Sequence, residues 1–214
     1  PMNPTHFIDG RRVPSEGNAT IDVIDPSDGE RFGQLARGTA GDIDAAVKAA
    51  RRAVGENFDG PWGALSALER GRLMAKLGAA VIAHHEELAQ LEARDTGKAL
   101  RVARNDATAL ARYMEYYAGA CDKLHGDTLP YERGYTVLTV RVPHGVTGHI
   151  IPWNYPMQIA GRSVGAALAA GNACVVKPAE DASLSLLRLA ELAAEVGFPA
   201  GTLNVVTGLS LIHI

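Results

Sequence analysis

The chain has only two cysteines among its 214 residues, Cys121 and Cys174. Two thiols alone cannot build a disulfide framework or a zinc site, so a reduced, cytoplasmic setting is the simplest expectation. There is no excess of one charge: 21 basic against 24 acidic residues leave a formal charge of −3, and the basic residues form no stripe. That excludes an obvious nucleic-acid surface. No uninterrupted apolar run approaches a membrane span; the stretch around 163–171 is too short and too rich in Gly and Ala. No charged leader followed by an apolar run opens the chain, so no secretory signal is expected. Neither G-x-G-x-x-G nor a Walker A sequence occurs, and glycine spacing by itself therefore gives no claim to dinucleotide binding. What is there is ordinary for a globular protein of one or two domains, with 47% hydrophobic and 21% charged residues.

The first forty residues alternate and turn. Phe7-Ile8 precedes an Asp9-Gly10 turn, and Ile21 to Ile24 is bounded by Asp25-Pro26 and Asp28-Gly29, which predicts short antiparallel hairpins. Asp42 is expected to cap a helix through Ala53 with Ile43, Ala46, Val47 and Ala50 on one face. A longer helix is expected from Ser66 to Ala93, broken at Asp95-Thr96-Gly97-Lys98, and a third from Val102 to Cys121. A β-branched hairpin around Glu132-Arg133-Gly134 follows. From Val146 the rhythm becomes strand, helix, strand, helix, strand: 146–151, 156–170, 173–176, 183–196 and 203–206. Strands alternating with helices of this length predict right-handed crossovers and a covered parallel sheet.

Chemistry concentrates in 150–180. Asn154 follows a strand, and Pro156 suits the first turn of a helix. Such a junction holds a side chain at the carboxyl end of a parallel strand, where open α/β sheets place ligands. A neutral amide there can donate an N–H to a developing oxyanion; the plainer alternative is a helix cap. Lys177 and Glu180 follow the next strand and could grip two ribose hydroxyls, one by donation and one by acceptance. Glu180 would disfavour a 2′-phosphate, favouring NAD over NADP. The plainer alternative is a surface ion pair. Gly161, Gly165 and their alanine neighbours predict tight packing of the helix on the sheet. Cys174, between Ala173 and Val175-Val176, reads as a core residue and not as a nucleophile. His84 and His85 are adjacent, so their rings diverge on a helix and no chelating pair or other metal site is expected.

Ile151-Pro-Trp-Asn-Tyr-Pro156, followed by Gly171-Asn-Ala-Cys-Val-Val-Lys-Pro-Ala-Glu180, strongly resembles the signature of the aldehyde dehydrogenase superfamily. The resemblance extends from Phe7-Ile-Asp-Gly10 to Leu203-Asn-Val-Val-Thr-Gly208. It implies an α/β fold with a Rossmann-like parallel sheet, flanking helices and N-terminal β-hairpins. Residues 1–123 and 143–208 would form an incomplete coenzyme-binding domain, and 124–142 a protruding hairpin through which subunits form a homo-oligomer. By this resemblance Asn154 is the oxyanion-hole amide, and Ile150, Ile151, Pro152 and Trp153 are the wall beside the nicotinamide and its ribose. Lys177 and Glu180 grip the adenosine ribose, with Ala179 against the cofactor. Ile159, Arg162 and Ser163 would line the aldehyde channel; many members have Trp-Lys where this chain has Arg162-Ser163. The implied reaction is NAD-dependent oxidation of an aldehyde to a carboxylic acid through a cysteine thiohemiacetal and thioester. In relatives the thiol, the Glu base and a Gly-rich segment lie further along, so the chain reads as an N-terminal fragment, inactive alone. Leu209 to Ile214 departs from the family pattern and reads as a foreign tail. An alternative is a non-catalytic nucleotide-binding or subunit-association module.

Overall fold

The computed structural model describes residues 4–209. The opening hairpin forms as the turn chemistry predicts. β1 (His6–Ile8) and β2 (Arg11–Val13) are joined through Asp9 at φ 55° and Gly10 at φ 75°, the left-handed pair of a tight antiparallel connection. β3 (Thr20–Ile24) and β4 (Arg31–Ala36) make a separate two-stranded ribbon. α1 (Ala40–Val54) follows, and its start corrects the expected cap. Thr39 is the N-cap, and Asp42 is the third helical residue of a reciprocal capping box. Asp42 also accepts from the Glu16 N–H at 3.1 Å and the Ser15 hydroxyl at 3.1 Å, tying the helix to the preceding loop. Burial opposes its charge, but the Thr39 and Glu16 N–H donors prevail and hold the carboxyl below the ordinary range.

The single helix expected over 66–93 is two. α2 (Ala67–Ala83) and α3 (His85–Thr96) meet at His84, whose φ and ψ of −105° and 22° leave the helical region. Glu86 and Glu87 suit a helix start there, where unpaired N–H groups favour negative charge. α3 ends at Gly97 with φ 71°, the left-handed cap expected from the sequence. α4 (Leu100–Ala120) then packs along α2, α3 and a later helix over 156–169. The hairpin over 124–142 contains two short strands, β5 (Thr128–Leu129) and β6 (Val137–Leu138), which pair only with each other. Nearly all of its residues are exposed.

The alternating segment forms β7 (Val146–Ile151), α5 (Pro156–Ala169), β8 (Ala173–Pro178), α6 (Leu184–Glu195) and β9 (Leu203–Val205). β7–β8–β9 are parallel, as expected. The full sheet, however, runs β2-β1-β9-β8-β7 and is mixed, because β1 joins antiparallel beside β9. The hairpin pattern revealed the first pairing but not its long-range partner. Val175, Val176, Val205 and Val206 are all buried, as strands covered on both faces require.

Packing revises two further expectations. Gly161 and Gly165 lie against the rings of Tyr113 and Tyr117 on α4, so the small residues serve a helix–helix contact rather than a helix–sheet one. Ile43 is 38% exposed and outside the core, while Ala49, Ala53 and Val54 join Ala46 and Ala50 on the buried face of α1. Trp62 is fully buried, stacks on Phe198 at 5.3 Å and donates its indole N–H to Asn172 O at 3.0 Å. Among the described residues no helix is long and apolar enough to cross a membrane.

Candidate functional site

In an open α/β sheet the carboxyl ends of parallel strands form one rim. β7 and β8 pair with Ile150 opposite Lys177 and Ile151 opposite Pro178, so the residues following each strand emerge side by side. The Ile151 carbonyl accepts from the Ala179 N–H at 2.8 Å, fastening the two exits together. Residues 152–155 then turn into α5, with Pro156 at the helix start. Asn154 is exposed and its side chain makes no hydrogen bond among the described residues. It is not a cap: Tyr155 occupies that position without a side-chain bond. The carboxamide therefore keeps its donors available.

Lys177 and Glu180 are half-buried and meet, with Lys177 Nζ 3.4 Å from Glu180 Oε2 and donating to the Pro178 carbonyl at 2.8 Å. A cation and an acceptor are thus held together just beyond β8, the donor set a vicinal diol requires. Ile150, 73% exposed, and Lys177 line a 420 Å³ groove with Val175, Val206 and, from α1, Ile43 and Val47. Pro152, Trp153, Asn154, Ala179 and Glu180 lie outside that lining, although Pro152 and Trp153 are exposed on the adjoining turn. Ile151 departs from the expected wall: its side chain is buried in the core, so only its backbone faces the rim. In α5, Arg162 is exposed, whereas the Ser163 hydroxyl is engaged with Ile159 O at 3.0 Å.

Neither thiol has the setting of a nucleophile. Cys174 is fully buried in β8 and burial pushes its thiol up to about 12, against only a weak opposing contact from Thr147. Cys121 is buried and likewise raised by desolvation. The two histidines diverge: His84 Nδ1 meets Glu87 at 2.7 Å and His85 Nε2 meets Arg104 O at 2.8 Å. No group of three metal-ligating side chains occurs among the described residues.

The sequence reading missed a buried polar cluster beside the turn. Glu92 and Asp95 of α3 and Asp106 of α4 are buried, with Lys98 between Glu92 and Asp106. Burial raises Glu92 to about 7, although Lys98 pulls it down, and raises Asp95 to about 6 against the Leu184 and Ser183 N–H donors. A signal existed: Glu92 and Asp95 fall four and seven residues after buried Leu88, on the apolar stripe of their helix.

The fold and rim define an open-sheet α/β protein whose ligand-binding edge carries a free carboxamide and a lysine–glutamate pair. A family model described as the aldehyde dehydrogenase family matches residues 13–211, and the chain belongs to that family. Hydroxyisobutyraldehyde dehydrogenase of Mycolicibacterium austroafricanum is 45% identical over 205 residues, covering 96% of this chain and 40% of its own. A crystal structure from Burkholderia cenocepacia is 68% identical, with a TM-score of 0.93, over 96% of this chain and 42% of that one. The NAD+ complex of an aldehyde dehydrogenase from Bacillus cereus is 41% identical, with a TM-score of 0.93, over 97% and 42%. The chain thus spans about 40% of the length of the curated relatives it matches.

Proposed function

We propose that this chain supplies the coenzyme-facing part of an NAD-dependent aldehyde dehydrogenase and that Asn154 is its oxyanion donor. The observation that carries this reading is the partner-free carboxamide of Asn154, on the strand-end rim that also bears Lys177 and Glu180. When a thiolate adds to an aldehyde carbon, a C–S bond forms and the carbonyl π pair moves onto oxygen. An N–H aimed at that oxygen stabilises the charge without exchanging a proton. NAD, when bound, would supply the acceptor for the hydride on that carbon. Lys177 and Glu180 would hold the adenosine ribose, Lys177 donating and Glu180 accepting, with Ala179 beside the cofactor. Ile150, Pro152 and Trp153 would shield the nicotinamide side, with Ile151 contributing backbone only.

The thiolate comes from outside residues 4–209, because burial keeps Cys121 and Cys174 protonated at neutral pH. Residues 1–214 alone are accordingly inactive. The exposed hairpin over 124–142 is the surface through which subunits associate, and two free thiols suit a cytoplasmic setting. Calorimetric titration of NAD into the natural polypeptide that contains this chain tests the cofactor grip. Lys177→Ala is expected to weaken NAD about tenfold, the scale of one charge-assisted hydrogen bond. Equal affinity in the two proteins would remove Lys177 from the cofactor site.

A further inference from the structure

The turn that presents Asn154 has no local support of its own. Residues 152–155 are exposed, Asn154 makes no side-chain bond, and Tyr155 gives α5 no side-chain cap. The support comes from other helices. Lys98 Nζ lies 2.7 Å from Glu92 Oε1 and 2.7 Å from Asp106 Oδ2. Each acid turns its second oxygen toward α5 or α6. Glu92 Oε2 accepts from the Met157 N–H at 3.1 Å and the Ser185 hydroxyl at 3.2 Å, and Asp106 Oδ1 accepts from Gln158 Nε2 at 2.6 Å.

Met157 belongs to the first turn of α5, whose N–H groups have no carbonyl within the helix to bond. Glu92 reaches it from 65 positions away in sequence and does the work of the missing cap. Lys98 Nζ also lies 4.9 Å from the centre of the Tyr155 ring, next to Asn154 itself. Three contacts from one cluster therefore converge on residues 155–158.

We propose that the Glu92–Lys98–Asp106 cluster positions Asn154, by clamping Tyr155 and the first turn of α5. The proposal rests on the oxyanion role given to Asn154 above, and it makes Glu92, Lys98 and Asp106 positioning residues. A cluster kept only for stability would be a poor choice, since a buried ionic group contributes little net stability over an apolar packing of the same volume. Positioning does require it: the clamp needs an acceptor oriented at one particular N–H.

The test compares Glu92→Gln, Glu92→Leu and Tyr155→Leu in the natural polypeptide that contains this chain. One readout is kcat, with propanal as the probe aldehyde and saturating NAD. The other is amide hydrogen exchange of 152–158 against 173–178. Glu92→Leu is expected to lower kcat about tenfold with KM for NAD unchanged, because a displaced donor loses much of its stabilisation of the oxyanion. Exchange over 152–158 is expected to rise by a similar factor while 173–178 keeps its protection. Glu92→Gln retains an acceptor and is expected to stay within about threefold of wild type in both readouts. Should Glu92→Leu fail to fold, Tyr155→Leu removes a partly exposed ring with its Lys98 contact, leaves the buried acids in place, and is expected to lower kcat severalfold. Wild-type kcat in Tyr155→Leu, equal losses in the Gln and Leu variants, or protection lost evenly over both segments would overturn the proposal. An inactive wild-type protein would sink the oxyanion reading, and exchange over 152–158 would then decide the clamp alone.

Discussion

Asn154 and Glu92 differ in what their surroundings do to them. Asn154 is left in solvent without a partner, while Glu92 is buried against one cation and a second acid. The acid has a consequence for stability. Its pKa lies at about 7 in the fold against 4.5 for the free side chain, so the folded state holds the proton more tightly. The contribution is complete below about pH 4.5 and disappears as pH rises through about 7, because there the fold must accommodate the ionised form. Asp95, raised to about 6, acts in the same direction. His6 and His149, both lowered by burial, act in the opposite one, so the raw pH dependence of melting mixes these groups. The difference between wild type and Glu92→Gln isolates the acid. Calorimetric melting of the two is expected to show the Gln variant gaining relative stability from about pH 5 to pH 8. A pH-independent difference would mean that Glu92 stays in one protonation state.

Element by element, the sequence revealed what local pattern controls. β7, β8, β9, α5 and α6 fall within two residues of their expected ends, because β-branched runs and the punctuation at Pro156, Gly171 and Gly197 act locally. The break at His84 was hidden, since Ala, Ile and His on either side keep the helical spacing intact. The pairing of β1 with β9 spans nearly the whole chain and leaves no local mark. The rim at 150–154 and 177–180 was legible for the same reason the strands were, whereas the clamp joins residues more than fifty positions apart. The α4–α5 contact gives an element-level test. A Cβ at the buried Gly161 would lie 2.8 Å from the ring of half-buried Tyr113 and 3.1 Å from its Cβ. Gly161→Ala is expected to destabilise by about 1–3 kcal/mol in denaturant unfolding, the overpacking outweighing the better helix propensity of Ala. A variant as stable as wild type would show that α4 and α5 can separate without cost.

For the whole molecule, the described sheet is open at both edges. β2 bounds it on one side and β7, with Ile150 exposed, on the other. The hairpin over 124–142 carries exposed Tyr131, Tyr135, Leu138 and Val140. Unpaired edges and exposed apolar side chains of this kind are surfaces suited to further contacts, and the matched region is about 40% of the relatives' length. The chemistry proposed for Asn154 is measured in the natural polypeptide that contains this chain. The most direct measurement is kcat for aldehyde-dependent NADH formation by Asn154→Ala beside wild type, with NAD affinity determined for both. The account predicts a loss of about 10²–10³ in kcat with NAD affinity unchanged, the cost of removing one oxyanion donor. A variant that turns over as fast as wild type would contradict it.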